Sequence, residues 1–178
     1  MVGPTPSTVQ TYTVAADGTV THTVGALDSP TQGGILMGGD LLLLSGPTDG
    51  EAPCLLVLIR RSDSASASVL SGNYHIGAFL ADAGAPPPHF SSFTGTRSAD
   101  GVGTVTTNAG GTINIDGVVG SFPAAMTNDS YTVAADGTLS VTLATTTLVG
   151  AVSPTGDYAV LAGGMTVGSL PQLWFLVR

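Results

Sequence analysis

The chain has no lysine, one cysteine, one glutamate and one tryptophan, and aromatic residues make up only 6% of its 178 positions. Each shortage removes a class of function. Arg60, Arg61, Arg97 and Arg178 are the whole cationic complement against eleven aspartates and Glu51, which leaves a net charge of −8. No basic stripe is available to neutralise phosphates, so nucleic acid is not an expected partner. Anionic membrane surfaces are disfavoured for the same reason. A lone cysteine, Cys54, excludes an intrachain disulfide, and its setting in CLLVLI reads as a small buried hydrophobe. The longest apolar runs, LLLL and CLLVLI, are too short for a helical membrane span, so an integral membrane protein is not expected. The start, MVGPTPSTVQ, has neither the basic nor the apolar segment of a secretory signal.

What is present is glycine, 25 residues of it, with abundant threonine, valine and leucine and only 9% charged residues. Soluble domains carry about 25% charged residues. A weakly charged, Thr- and Gly-rich surface of this kind is associated with secreted or cell-surface proteins. The absence of lysine fits a GC-rich, bacterial coding source.

One stretch occurs twice and organises the rest. Residues 12–19 and 131–138 are the same octapeptide, YTVAADGT. The residues on either side of Asp17-Gly18 and Asp136-Gly137 are β-formers, and Asp-Gly suits a tight hairpin turn. Each copy therefore reads as a β-hairpin. Tyr12 and Val14 share one face of its first strand. Downstream, each copy passes through a Gly-rich hairpin and ends in a Pro-led apolar strand closed by arginine. These are PCLLVLIR, residues 53–60, and PQLWFLVR, residues 171–178.

Between the two copies, RSDSASAS (residues 61–68) is a polar link. Residues 70–127 read as a third, diverged unit. No 3.6-residue stripe persists for three turns, and turn signals recur every 8 to 12 residues. The reading is an all-β chain: an N-terminal arm over residues 1–9, then a single domain over 10–178 built of repeats at about 10–62, 70–127 and 130–178. It predicts an antiparallel hairpin meander with internal repeats, closed into a β-barrel of about 12–14 strands. The alternatives are a β-trefoil-like pseudo-threefold or a β-sandwich. Gln172-Leu173-Trp174 resembles the Q-x-W tripeptide of ricin-type trefoil lectins. The likeness covers three residues, and Cys54-Leu55-Leu56 stands at that place in the first copy. Residues 25–33 and 117–129 are expected to be irregular.

Candidate chemistry is sparse. His22, His75 and His89 form no HExxH or H-x-H pattern, and no cysteine cluster exists, so no metal is expected. No G-x-S-x-G nucleophile elbow occurs. With one glutamate, a glycosidase-type carboxylate pair would need two aspartates, or Glu51 with an aspartate; Glu51 and Asp49 stand together in a Gly/Pro-rich turn. Gly33-Gly34 and Gly38-Gly39 are followed by no lysine and no helix, so they read as hairpin glycines rather than a phosphate loop. No cofactor is expected. Tyr74, Phe79, Phe90, Phe93 and Trp174 are candidates for the core or for an aromatic platform.

These absences predict a non-enzymatic protein, exported or at the cell surface, that acts by self-association through its apolar strands. Those strands are DLLLLS, CLLVLIRR and QLWFLVR; any that lies on a sheet edge offers unpaired backbone for strand addition. The alternatives are a β-barrel holding a small apolar or glycan ligand, and a hydrolase whose histidine and acid come from separate strands.

Overall fold

The computed structural model describes residues 10–24, 31–35, 39–45, 55–60, 62–82, 89–121, 126–143, 146–163 and 171–178. Contacts divide the chain into two compact units, Met1–Leu58 and Ile59–Arg178. Fifteen strands and one 3-10 turn are found among the described residues. The expected arm at 1–9 lies outside them, as do Cys54, Asp49 and Glu51.

The first unit is a five-stranded sheet in chain order: β1 (Gln10–Val14), β2 (Thr19–Val24), β3 (Thr31–Ile35), β4 (Leu41–Ser45) and β5 (Leu55–Ile59). β1 to β4 pair antiparallel, each with the next.

The second unit holds the remaining ten strands. They are β6 (Ser71–Asp82), β7 (His89–Asp100), β8 (Thr104–Thr107), β9 (Thr112–Ile115), β10 (Val118–Ser121), β11 (Met126–Val133), β12 (Thr138–Leu143), β13 (Thr146–Val152), β14 (Tyr158–Gly163) and β15 (Gln172–Val177). Eight of them close a barrel in the order β7-β6-β15-β14-β13-β12-β11-β8, with β8 returning to β7. Every pairing in it is antiparallel. β7 is long enough to serve two partners: Arg97 to Ala99 pair with β8, and Ser91 to Thr94 carry the outlying hairpin β9–β10.

The all-β meander of hairpins closed into a barrel is thus the fold. Closure takes eight strands rather than the 12–14 of the sequence reading, because five strands form the first unit's sheet and two form the outlying hairpin. No trefoil arises: the first and last strands of the barrel, β6 and β15, are neighbours in one meander. The middle segment contributes β6, β7 and β8 to the wall.

Two stretches expected to be irregular are partly strand. β3 begins at Thr31, and its Gly33 stands opposite both Val20 and Leu44. β10 and the start of β11 fall inside 117–129. The turn before β10 puts both Asp116 (φ 50°) and Gly117 (φ 88°) in the left-handed region, the geometry that a two-residue hairpin requires.

The repeat is reproduced in register as well as in sequence. Tyr12 stands opposite His22 and Val14 opposite Val20; Tyr131 stands opposite Val141 and Val133 opposite Leu139. The row Val20–Gly33–Leu44 corresponds to Leu139–Gly150–Leu161. Gly150 is required there, since a Cβ would run into the Val160 carbonyl. The turns match too. Asp17 and Asp136 each accept the N–H two residues on through Oδ1 at 2.9 Å. Gly18 and Gly137 adopt φ of 84° and 81°.

Alternation along the strands decides what lies in the barrel. Inward positions are Tyr74, Ile76 and Ala78 of β6, Phe93 and Ala99 of β7, Val105 of β8, Tyr131 of β11, and Leu139 and Val141 of β12. Leu148 and Val152 of β13, Ala159 and Leu161 of β14, and Trp174 and Leu176 of β15 complete one buried cluster. The interior of an eight-stranded barrel is about wide enough for side chains to fill it. A 3-10 turn at Ala67–Val69 is tied to this cluster: the Tyr131 hydroxyl donates to the carbonyls of Leu70 (2.8 Å) and Ala67 (3.1 Å).

Candidate functional site

Three features could carry function. The first is inside the barrel. Arg97 on β7 and Asp129 on β11 are both buried, with Arg97 Nη1 3.1 Å from Asp129 Oδ2. The guanidinium lies 4.6 Å from the centre of the Trp174 ring, a cation–π distance. The Trp174 indole N–H donates to Gln172 Oε1 at 3.0 Å. Burial pushes the Arg97 guanidinium below its usual value, and Asp129 opposes that. Burial raises the Asp129 carboxyl, and Arg97 only partly offsets it. Arg97 Nε has no hydrogen-bond partner among the described residues. Paired in this way, the two groups join β7 to β11 on the inner side of β8, which lies between them.

The second feature is the barrel's outer face over β13, β14, β15 and β6. One cross-strand row reads Val149–Ala162–Leu173–Phe79, and the next Ala151–Val160–Phe175–Gly77. Phe79 and Val149 are exposed. At the rim, Phe79, Ala81, Phe90, Ala162, Pro171 and Leu173 line a shallow apolar groove of about 450 Å3, with Leu80, Ser91 and Gln172 at its inner side. By contrast, the β6–β7 face that bears Asn73, Ser98 and Asn108 is a polar ladder. Ser98 Oγ donates to Asn73 Oδ1 at 2.7 Å, and Asn108 Nδ2 donates to Ser98 Oγ at 3.0 Å.

The third feature is the pair of outer edges of the first unit. Among the described residues, β1 pairs only with β2, and β5 ends the sheet beside β4. Of the three strongly apolar strands in the sequence, β4 and β15 are central and β5 is an edge. β5 reads LLVLI and β1 reads QTYTV, with no charge on either. Charged or proline-bearing edges are the usual guard against pairing with other chains; neither strand has one within its bounds, and the charge that borders them is Arg60, directly after β5.

The edge residues are exposed where their repeat partners are not. Tyr12 is 72% exposed and Tyr131 is 3% exposed. Leu58 is 44% exposed, and Leu176, at the matching place in the repeat, is 3% exposed. Away from the edges the two copies agree, with Val20 and Leu139 both fully buried.

The sequence-derived candidates fall as follows. Tyr74, Phe93 and Trp174 are core, whereas Phe79 and Phe90 are exposed at the rim. His75 is exposed on β6 and pairs with Thr96, while His89 pairs with Asp82 at the far end of the same ladder. Seven residues of extended chain separate those positions, about 23 Å. His22 lies in β2, in the first unit. Among the described residues, no three His, Cys, Asp or Glu side chains converge as a metal site would require. No helix among them is long and apolar enough to cross a membrane. The Arg97–Asp129 pair escaped the sequence reading. Its members lie 32 positions apart, and the one available signal was that both alternate with inward-facing apolar residues.

No family model matches the chain, and the comparisons with curated proteins and with solved structures find no match either.

Proposed function

We propose that this is a non-enzymatic protein, exported or at the cell surface, that works by self-association through exposed β-edges. The observation that carries the reading is β5: an uncharged LLVLI strand at the edge of a sheet. Such a strand presents a row of unpaired N–H and C=O groups to another strand. The low charge content supports export by composition. Strand addition is the recognition mode that this edge suits, because backbone hydrogen bonds supply affinity and the alternating apolar side chains supply fit.

Sedimentation of the full chain over a wide concentration range, with electron microscopy of the same samples, is the test. The expected result is a concentration-dependent rise in mass above one chain. A monomer at every concentration would overturn the reading.

A second reading has one observation in its favour. The apolar groove at the barrel rim, with Phe79 and Phe90 exposed along it, suits a small apolar ligand or the flat face of a sugar. It lies at the rim, whereas the interior positions carry the buried cluster.

A further inference from the structure

The two units solve the same strand pattern differently. In the second unit β11 to β15 form a five-stranded run whose two edges are both taken: β8 pairs with β11, and β6 pairs with β15. The three strands β6 to β8 bridge those edges and close the barrel. The first unit repeats the five strands, its first three pairings in the corresponding register, with no such bridge among the described residues.

Direction then limits what can complete it. Strands alternate in an antiparallel meander, so by its correspondence to β15 the fifth strand runs the same way as the first. β1 and β5 cannot pair antiparallel with each other. Every pairing recorded in both units is antiparallel, so closure requires an odd number of added strands. The second unit uses three. A second copy of the first unit brings five.

We propose that the first unit is completed by the first unit of a second copy of the chain. β1 pairs antiparallel with β1 of the other copy and β5 with its β5, giving a closed ten-stranded sheet from the two five-stranded ones. One two-fold axis perpendicular to the sheet's long direction passes through both seams and generates both pairings. This is the isologous arrangement most homodimers use.

The chemistry of the edges fits self-pairing. The chain carries a net charge of −8, yet neither edge strand carries a charge within its bounds; Arg60 and Arg61 follow β5, and an antiparallel β5 seam sets those of the two copies at its opposite ends. Tyr12 and Val14 share the face of Val20, the face whose second-unit counterparts line the barrel. Closure gives Tyr12 and Leu58 the covered interior that Tyr131 and Leu176 already have. Both residues sit on the two strands where pairing is missing, and the central strand position Val20 is already buried.

The proposal rests on the edge-association reading and names its partner, its stoichiometry and a second required edge. The test is sedimentation equilibrium of the full chain and of Tyr12→Lys and Leu58→Lys, with hydrogen–deuterium exchange of β1 and β5. Both side chains are exposed in a single copy, so lysine is tolerated there and becomes costly only when the seam closes over it. The expected wild-type mass levels off at two chains, with β1 and β5 amides protected together. Each lysine variant weakens the dimer by about a hundredfold or more, while Tyr12→Phe and Leu58→Met keep it. Trp174 fluorescence, which reports only the second unit, stays unchanged in all four variants.

A mass that climbs without levelling off leaves edge association standing and overturns closure. A dimer indifferent to Tyr12→Lys also overturns closure, since only the β5 seam would then be in use. A monomer throughout overturns both readings, and protected β1 and β5 amides in that monomer would show the edges covered in some other way.

Discussion

Tyr12 and Tyr131 stand at the same place in the same eight-residue sequence, on strands of the same register, yet one is exposed and the other is sealed in a barrel. The octapeptide determines the hairpin in both units: Asp-Gly turn, side-chain cap and alternation are alike. What differs is the neighbour on the outer edge. β11 has β8 beside it and the 3-10 turn near its tyrosine; β1 has no such neighbour among the described residues. Burial here is a property of what a strand pairs with, and the strand's own sequence does not carry it.

The most disruptive substitution makes the second unit more like the first. Where β11 carries Asp129, β1 carries Gln10. Asp129→Gln leaves Arg97 buried without its counter-charge, and breaking a buried pair of this kind costs about 3–5 kcal/mol. Urea unfolding followed by Trp174 fluorescence should show that loss. A change below about 1 kcal/mol would mean that water reaches the pair and screens it.

The next largest effect separates the two apolar strands. Leu176→Ala removes a buried side chain and should cost about 2–5 kcal/mol. Leu58→Ala, at the matching place, should cost less than about 1 kcal/mol in the single chain, because its side chain is already partly in water. Equal losses would show that β5 is covered in solution, and chemical denaturation at low protein concentration measures both.

The smallest effect sharpens the role of the turns. Asp100, the last residue of β7, accepts the N–H groups of Val102 (2.8 Å), Gly103 (2.9 Å) and Thr104 (2.8 Å) on one oxygen. These bonds, those of Thr104 and Val102 first, bring its pKa from 3.8 to about 2. A depressed carboxylate stabilises the fold above its unfolded value and loses that contribution as pH falls through the folded one. Asp100→Asn should therefore lower the melting temperature slightly at neutral pH, with the gap to wild type narrowing between pH 3.8 and about 2. A gap that stays constant with pH would assign the effect to turn geometry instead of charge.

Much of the wall was legible beforehand. The hairpins about Asp17-Gly18, Asp100-Gly101 and Asp136-Gly137 announce themselves, because a tight turn needs glycine and an aspartate can cap it. The start of β3 was hidden because residues 25–33 read as loop, whereas Gly33 acts in the fold as a small residue opposite Val20 and Leu44. β10 was hidden because its four residues are all exposed and carry no alternation to detect. The candidate edges were half visible. LLVLI stood out as too apolar for a half-buried strand, but whether it was central or peripheral depends on pairing that no local pattern encodes.

Alternation, β-propensity and turn chemistry act within a few residues, so the all-β class, the antiparallel hairpins, the turn positions and the internal duplication are written in the chain itself. That eight strands close while five form a separate sheet, that Arg97 meets Asp129, and that β5 is an edge where β15 is central are settled at the level of the fold. Those outcomes depend on which distant strand supplies the next row of hydrogen bonds, and identical local sequence is compatible with either answer.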